Sequence, residues 1–282
     1  MPEHVHSGLA HMPAAEAAPA PHLALPGGRK RVFDGHVLVA YYGTAGTGAL
    51  GVLGDAPPDE IWPRLVRAGR PFATPGHRLQ PVFELIVDVA TGTPGPDGDF
   101  SASIPRAAVR EYIRAAHRHG ALVILDIQPG RSDFLSKARH WAWALKDPWV
   151  GLALDPEWRM GPGQVPATVI GHVRAAEVNR VSAWLSALTI RGHLPQKVFM
   201  LHQFRTDMIR GIQHVRPRPG LALVQHVDGF GTPGQKLATY HAVIRPRIFH
   251  EGFKLFYRQD VRRMSAKRVL HIRPRVSFVS FQ

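Results

Sequence analysis

Asp155 and Glu157 stand two residues apart at the end of an apolar run, VGLALDPEW (150–158). Two carboxylates in one poorly solvated pocket cannot both ionise cheaply, so one of them keeps its proton to higher pH. A protonated carboxyl beside an ionised one is the equipment of glycosidic cleavage. One group protonates the leaving oxygen while the other activates water or attacks the sugar. Other apolar runs close in the same way. Glu84 and Asp88 lie in PVFELIVDVA (81–90), Asp126 and Gln128 in ALVILDIQPG (121–130), His202 and Gln203 in KVFMLHQF (197–204), and His226 and Asp228 in LALVQHVDG (221–229). GFKLFYRQ (252–259) ends in Arg258 and Gln259, with Asp260 next.

These runs must be held so that their ends meet. With HVLVAYYG (36–43) and VSFVSFQ (276–282) there are eight strand candidates. Amphipathic segments separate them: 57–69, 105–120, 132–147 and 167–188, then shorter crossovers at 205–215, 233–244 and 264–272. Eight strands with helical crossovers in about 250 residues predict a single (β/α)8 TIM barrel, an α/β fold. A doubly wound open sheet is the alternative, but its usual six strands leave two over. The chain stops at the eighth strand, so the last helix is expected to be missing. Residues 1–30, rich in Ala, Pro and His, read as a flexible, disordered N-terminal tail, and 31–282 as the barrel domain. His4, His6 and His11 in the tail are candidates for adventitious metal binding.

In such a barrel, catalytic groups sit at the carboxyl ends of the strands. Strand side chains alternate, so Ala153, Asp155 and Glu157 share the inner face, as do Asp126 with Gln128 and His226 with Asp228. The expected division of labour has Glu157 as general acid and Asp155 orienting it. Asp126 or Asp228 supplies a base or nucleophile, with Glu84 a competitor for that role. Tyr42, Gln128, Trp158, His202, Gln203 and His226 are the remaining candidates for substrate contact, and Tyr41 and Trp141 are further stacking candidates. Glu177, in line with the apolar face of its helix, calls for a structural partner.

LALDPEW resembles the Asp-x-Glu end of the family 18 chitinase motif and the Asp-x-Glu strand of family 25 lysozymes. Through its DIQPGR and LDPEWR segments the chain from 36 to 282 also resembles an uncharacterised actinobacterial group of barrel hydrolases. The resemblance implies a glycosidase-type barrel with Glu157 at the acid position and Asp155 beside it. It stops short in two places. Ala153 and Val150 stand where the chitinase motif has further aspartates, and the first strand lacks the lysozyme aspartate.

The expected activity is that of a glycoside hydrolase on a polysaccharide or cell-envelope glycan, with no cofactor. One rival is a metal-dependent hydrolase using His202, His226 and Asp228. Another is a non-catalytic barrel that binds a glycan or other polymer. GTAGTGALG matches Gly46-x-Gly48-x-x-Gly51, but Gly54, Pro57 and Pro58 follow where a phosphate-binding helix should open. The formal charge of +14 comes with no nucleic-acid-binding motif, and arginine dominates the basic residues. No cysteine is present, so disulfides are excluded. No apolar stretch is long enough for a membrane span, and no leader pattern opens the chain. Oligomeric state is open. A glycan substrate implies export, any other a cytoplasmic protein.

Overall fold

The computed structural model describes residues 23–282. Eight parallel strands close on themselves: β1 (His36–Gly43), β2 (Arg78–Ala90), β3 (Leu122–Ile127), β4 (Val150–Leu154), β5 (Lys197–Gln203), β6 (Leu221–Val227), β7 (His250–Leu255) and β8 (Val276–Phe281). Each pairs with the next in sequence, and β1 pairs in parallel with both β2 and β8, which closes the ring. The fold is a TIM-type barrel. Closure leaves no open edge among the eight strands.

The helices lie between strands: α1 (Pro58–Gly69), α2 (Arg106–His119), α3 (Phe134–His140), α4 (Ala142–Leu145), α5 (Ala175–Arg191), α6 (Pro233–Val243) and α7 (Ala266–Leu270). Their local signals are clear. α2 turns Val109, Tyr112, Ala115 and Ala116 to the sheet and ends at Gly120, whose φ of 70° suits only glycine at low cost. Thr232 and Gln235 form a capping box at the start of α6.

Two expected helices are changed. Between β5 and β6 only a single 3-10 turn forms, at Ile212–His214. The segment 167–174 is not helical: a turn and bend over 167–169 lead through irregular chain into the short strand Val173–Arg174. Gly171 N donates to Glu157 O at 2.6 Å, and Val173–Arg174 pairs with Ile209–Arg210. A Cβ on Gly171 would stand 2.6 Å from Glu157 O, so only glycine lets this segment brace the Glu157 turn.

Strand alternation sorts the apolar side chains into two cores. Phe83, Leu125, Leu152, Phe199, Leu201, Leu223 and Phe253 face the helices. Leu38, Val82, Ile124, Ala153, Val198, Met200, Val224 and Phe278 fill the barrel's lower interior. Residues 23–35 cover the amino-terminal end, where Leu25 and Val32 are buried and Trp149 Nε1 donates to Ala24 O. Eight of these residues belong to the segment read as tail. Residues 1–22, among them His4, His6 and His11, lie outside the described residues. Among the described residues no helix is long and apolar enough to cross a membrane.

Candidate active site

Towards the carboxyl end the interior changes character. Tyr42 (β1), Glu84 (β2), Asp126 (β3), His202 (β5), His226 (β6), Lys254 (β7) and Ser280 (β8) all lie on the inward-facing alternation, and all are buried. Asp155 and Asp228 follow just beyond β4 and β6. Thus Glu84, Asp126, Asp155 and Asp228, acids from four separate strand ends, meet inside one barrel.

His202 is the hub of this group. Its Nδ1 lies 3.0 Å from Asp228 Oδ2, and its Nε2 lies 3.1 Å from Glu84 Oε1 and 3.7 Å from Asp126 Oδ1. Burial opposes charge on the ring, but Asp126, Asp228 and Glu84 outweigh it and raise its affinity for a proton well above the usual range. Asp228 behaves conversely. Burial opposes its charge, while the bond from His202 and the nearby Lys254 ammonium hold its carboxyl below the ordinary value. Tyr42 Oη donates to Asp126 Oδ2 at 2.9 Å, and Lys254 Nζ sits 3.5 Å from the centre of the Tyr42 ring. His226 pairs through Nε2 with Ser280 Oγ at 2.6 Å. Burial, then the neighbouring His202 charge, keeps His226 neutral. Its ring lies over Gly252, where a Cβ would stand 2.4 Å from Nδ1.

Above this layer opens a cavity of about 550 Å3, within the size range of small-molecule sites. Its polar lining includes Tyr42, Gln128, Glu157, Asp228, Lys254 and Gln282; Trp158, Phe204, Phe230 and Phe256 supply aromatic walls. Glu157 arrives there by an unexpected route. β4 stops at Leu154, and Pro156 opens a 3-10 turn over Pro156–Trp158. The two carboxylates are therefore set by a turn and not by strand alternation. Burial, then the Asp228 charge, pushes the Glu157 carboxyl up to about 7. Asp155 lies deeper, and burial followed by Glu157 and Asp126 raises it well above the carboxylate range. Of the four acids expected to be catalytic, Glu157 and Asp228 line the cavity, while Asp126 and Asp155 lie beneath it.

Glu84, His202 and His226 are likewise in the layer below, whereas Tyr42, Gln128 and Trp158 reach the cavity. Gln203 does not. It shares the outward face of Phe199 and Leu201, donates to Arg205 O and accepts from Gln225 Nε2. Asp88 also turns outward, because the β2–β3 register shifts between Ile86 and Asp88, and it accepts from Trp141 Nε1 and Ser103 Oγ. That buries Trp141 in the helix layer, away from any sugar. Tyr41 faces outward too, with its hydroxyl on Arg64 O. Glu177 finds its partner in Arg159 Nε at 3.1 Å.

Sequence reasoning missed Lys254, Ser280 and Gln282. The signal for Lys254 was present, since it shares alternation with Gly252 and lies between the apolar Phe253 and Leu255. The group that brings both histidines together contains Glu84; Asp228 instead occupies the other nitrogen of His202. The glycine-rich loop places Gly51 against the Tyr42 carbonyl and Leu50 at the cavity wall, with no long helix opening behind it.

The sequence matches no protein-family model and no curated protein. The fold and the site define a TIM-type barrel whose mouth holds clustered, buried ionisable groups.

Proposed function

We propose that the protein is a glycoside hydrolase acting on a polysaccharide or cell-envelope glycan. The observation that carries this reading is the placement of Glu157 and Asp228 on one aromatic-walled cavity at the carboxyl end of the barrel. Glu157, protonated up to about pH 7, supplies the proton to the leaving oxygen. Asp228, on the same cavity, serves as the carboxylate that activates water or attacks the sugar. Trp158, Phe204, Phe230 and Phe256 offer faces on which sugar rings can stack, and Gln128, Gln282 and Lys254 offer hydrogen bonds to hydroxyls. Asp126, tied to Tyr42, supports the floor from below.

The test is release of reducing ends from a panel of plant, fungal and bacterial cell-wall polysaccharides. Wild-type protein is expected to cleave one class of them, and Glu157→Gln to leave it intact. A panel bound but never cleaved would favour a binding barrel, and cleavage at the wild-type rate by Glu157→Gln would reject the acid.

A further inference from the structure

We propose that Glu84, His202 and His226 bind a divalent transition metal of the zinc, manganese or iron(II) class beneath the cavity floor. Each side chain offers one ligand atom, and the three atoms lie within 4.8 Å of one another. All three residues are fully buried.

The second observation is a set of polar atoms left without hydrogen bonds. Glu84 Oε2, His226 Nδ1 and Asp126 Oδ1 are buried and have no hydrogen-bond partner, and His202 Nε2 and Glu84 Oε1, though 3.1 Å apart, face one another without a well-formed hydrogen bond. A buried polar atom without a partner is costly. Several belonging to neighbouring side chains mark a place where a partner of the opposite charge fits. Two buried lysines elsewhere among the described residues are, by contrast, saturated. Lys197 Nζ donates to Asp147 O and Val150 O, and Lys236 Nζ donates to two carbonyls and pairs with Asp260.

The outer hydrogen bonds suit ligation as well. His202 is held through Nδ1 by Asp228, and His226 through Nε2 by Ser280. A ligating imidazole is oriented in this way, with one nitrogen anchored to a carboxylate or hydroxyl and the other given to the metal. Tetrahedral zinc bonds of about 2.0–2.1 Å place ligand atoms about 3.3 Å apart. Glu84 Oε1 and His202 Nε2 already stand 3.1 Å apart. Two imidazoles and one carboxylate suit zinc, iron(II) or manganese better than magnesium or calcium. The inference is independent of the glycan reading, because binding is measured without any substrate.

The experiment uses the full chain, stripped with chelator and titrated with Zn2+ by calorimetry and with Co2+ by visible absorption. His4, His6, His11 and His22 are replaced by alanine in a parallel sample to remove adventitious binding by the tail. The expected result is one tight equivalent in both samples and a Co2+ spectrum of nitrogen and oxygen ligation. Glu84→Gln is expected to weaken binding by about 100-fold or more. Ser280→Ala, which loses only the outer hydrogen bond, should weaken it about 10–100-fold and keeps the test readable if Glu84→Gln misfolds. No stoichiometric binding in the tail variant, or full affinity in folded Glu84→Gln, would overturn the proposal and leave protonated His202, with Lys254, to neutralise these carboxylates.

Discussion

The two ends of the barrel interior are built on the same eight strands but handle polar groups in opposite ways. The amino-terminal half is filled with Leu38, Val82, Ile124, Val198, Met200, Val224 and Phe278, and the buried Lys197 near it gives its hydrogen bonds to backbone carbonyls. The carboxyl-terminal half gathers Glu84, Asp126, Asp155, His202, His226 and Lys254, and leaves several of their atoms unpartnered. Burying charge costs stability unless the charge is well paired, and removing one partner of a buried pair costs about 3–5 kcal/mol. A core selected for stability alone would resemble the lower half. The upper half makes sense as machinery carried by the lower one.

The largest effect expected from that contrast is on the pH dependence of turnover. Glu157 must be protonated to act as an acid, so kcat should fall tenfold per pH unit above about 7. A rate flat to pH 9 on an identified glycan would break the link between the mouth and the chemistry. Next comes the floor. Leu38→Ala should cost about 2–5 kcal/mol in chemical denaturation while leaving turnover per folded molecule unchanged. A loss of turnover without a loss of stability would reverse the roles assigned to the two ends.

Glu251 sharpens the comparison because it is a buried acid outside the mouth, on the outward face of β7, with both oxygens unpartnered. Burial pushes its carboxyl up to about 8 from 4.5. The folded protein then holds the proton more tightly than the unfolded chain. Its contribution to stability is complete below pH 4.5 and is lost as pH rises through about 8. Unfolding free energy should therefore decline across that window by about 1–4 kcal/mol, and Glu251→Gln should flatten the decline. An unchanged slope in the variant would show that other groups control it. The smallest effect is expected from Trp158→Ala. Loss of a stacking face should raise KM about threefold to tenfold with a smaller change in kcat, measured by steady-state kinetics.

Much of this was legible in the sequence. All eight strands follow from short apolar runs, and the inward placement of Asp126, Gln128, His202, His226 and Asp228 follows from alternation alone. Alternation also shows where the reading failed. Gln203 closes an apolar run but stands one residue off the inward face. Asp88 follows a shift in strand register that no local residue announces. Glu157 reaches the mouth because Pro156 ends the strand and starts a turn, so its position depends on Gly171 and the segment behind it. The pairing of Glu84 with His202 joins strands that are not neighbours, and sequence spacing carries no trace of it.

The most direct measurement is a paired one on Glu157→Gln: unfolding free energy at pH 8 and turnover of a cleaved glycan. The expected result is a stability equal to or above that of wild type, since a charge disfavoured by burial has been removed, with turnover reduced about 100-fold or more. A variant that is clearly less stable yet turns over at the wild-type rate would mean that Glu157 serves the fold and that the mouth of the barrel does no acid chemistry through it.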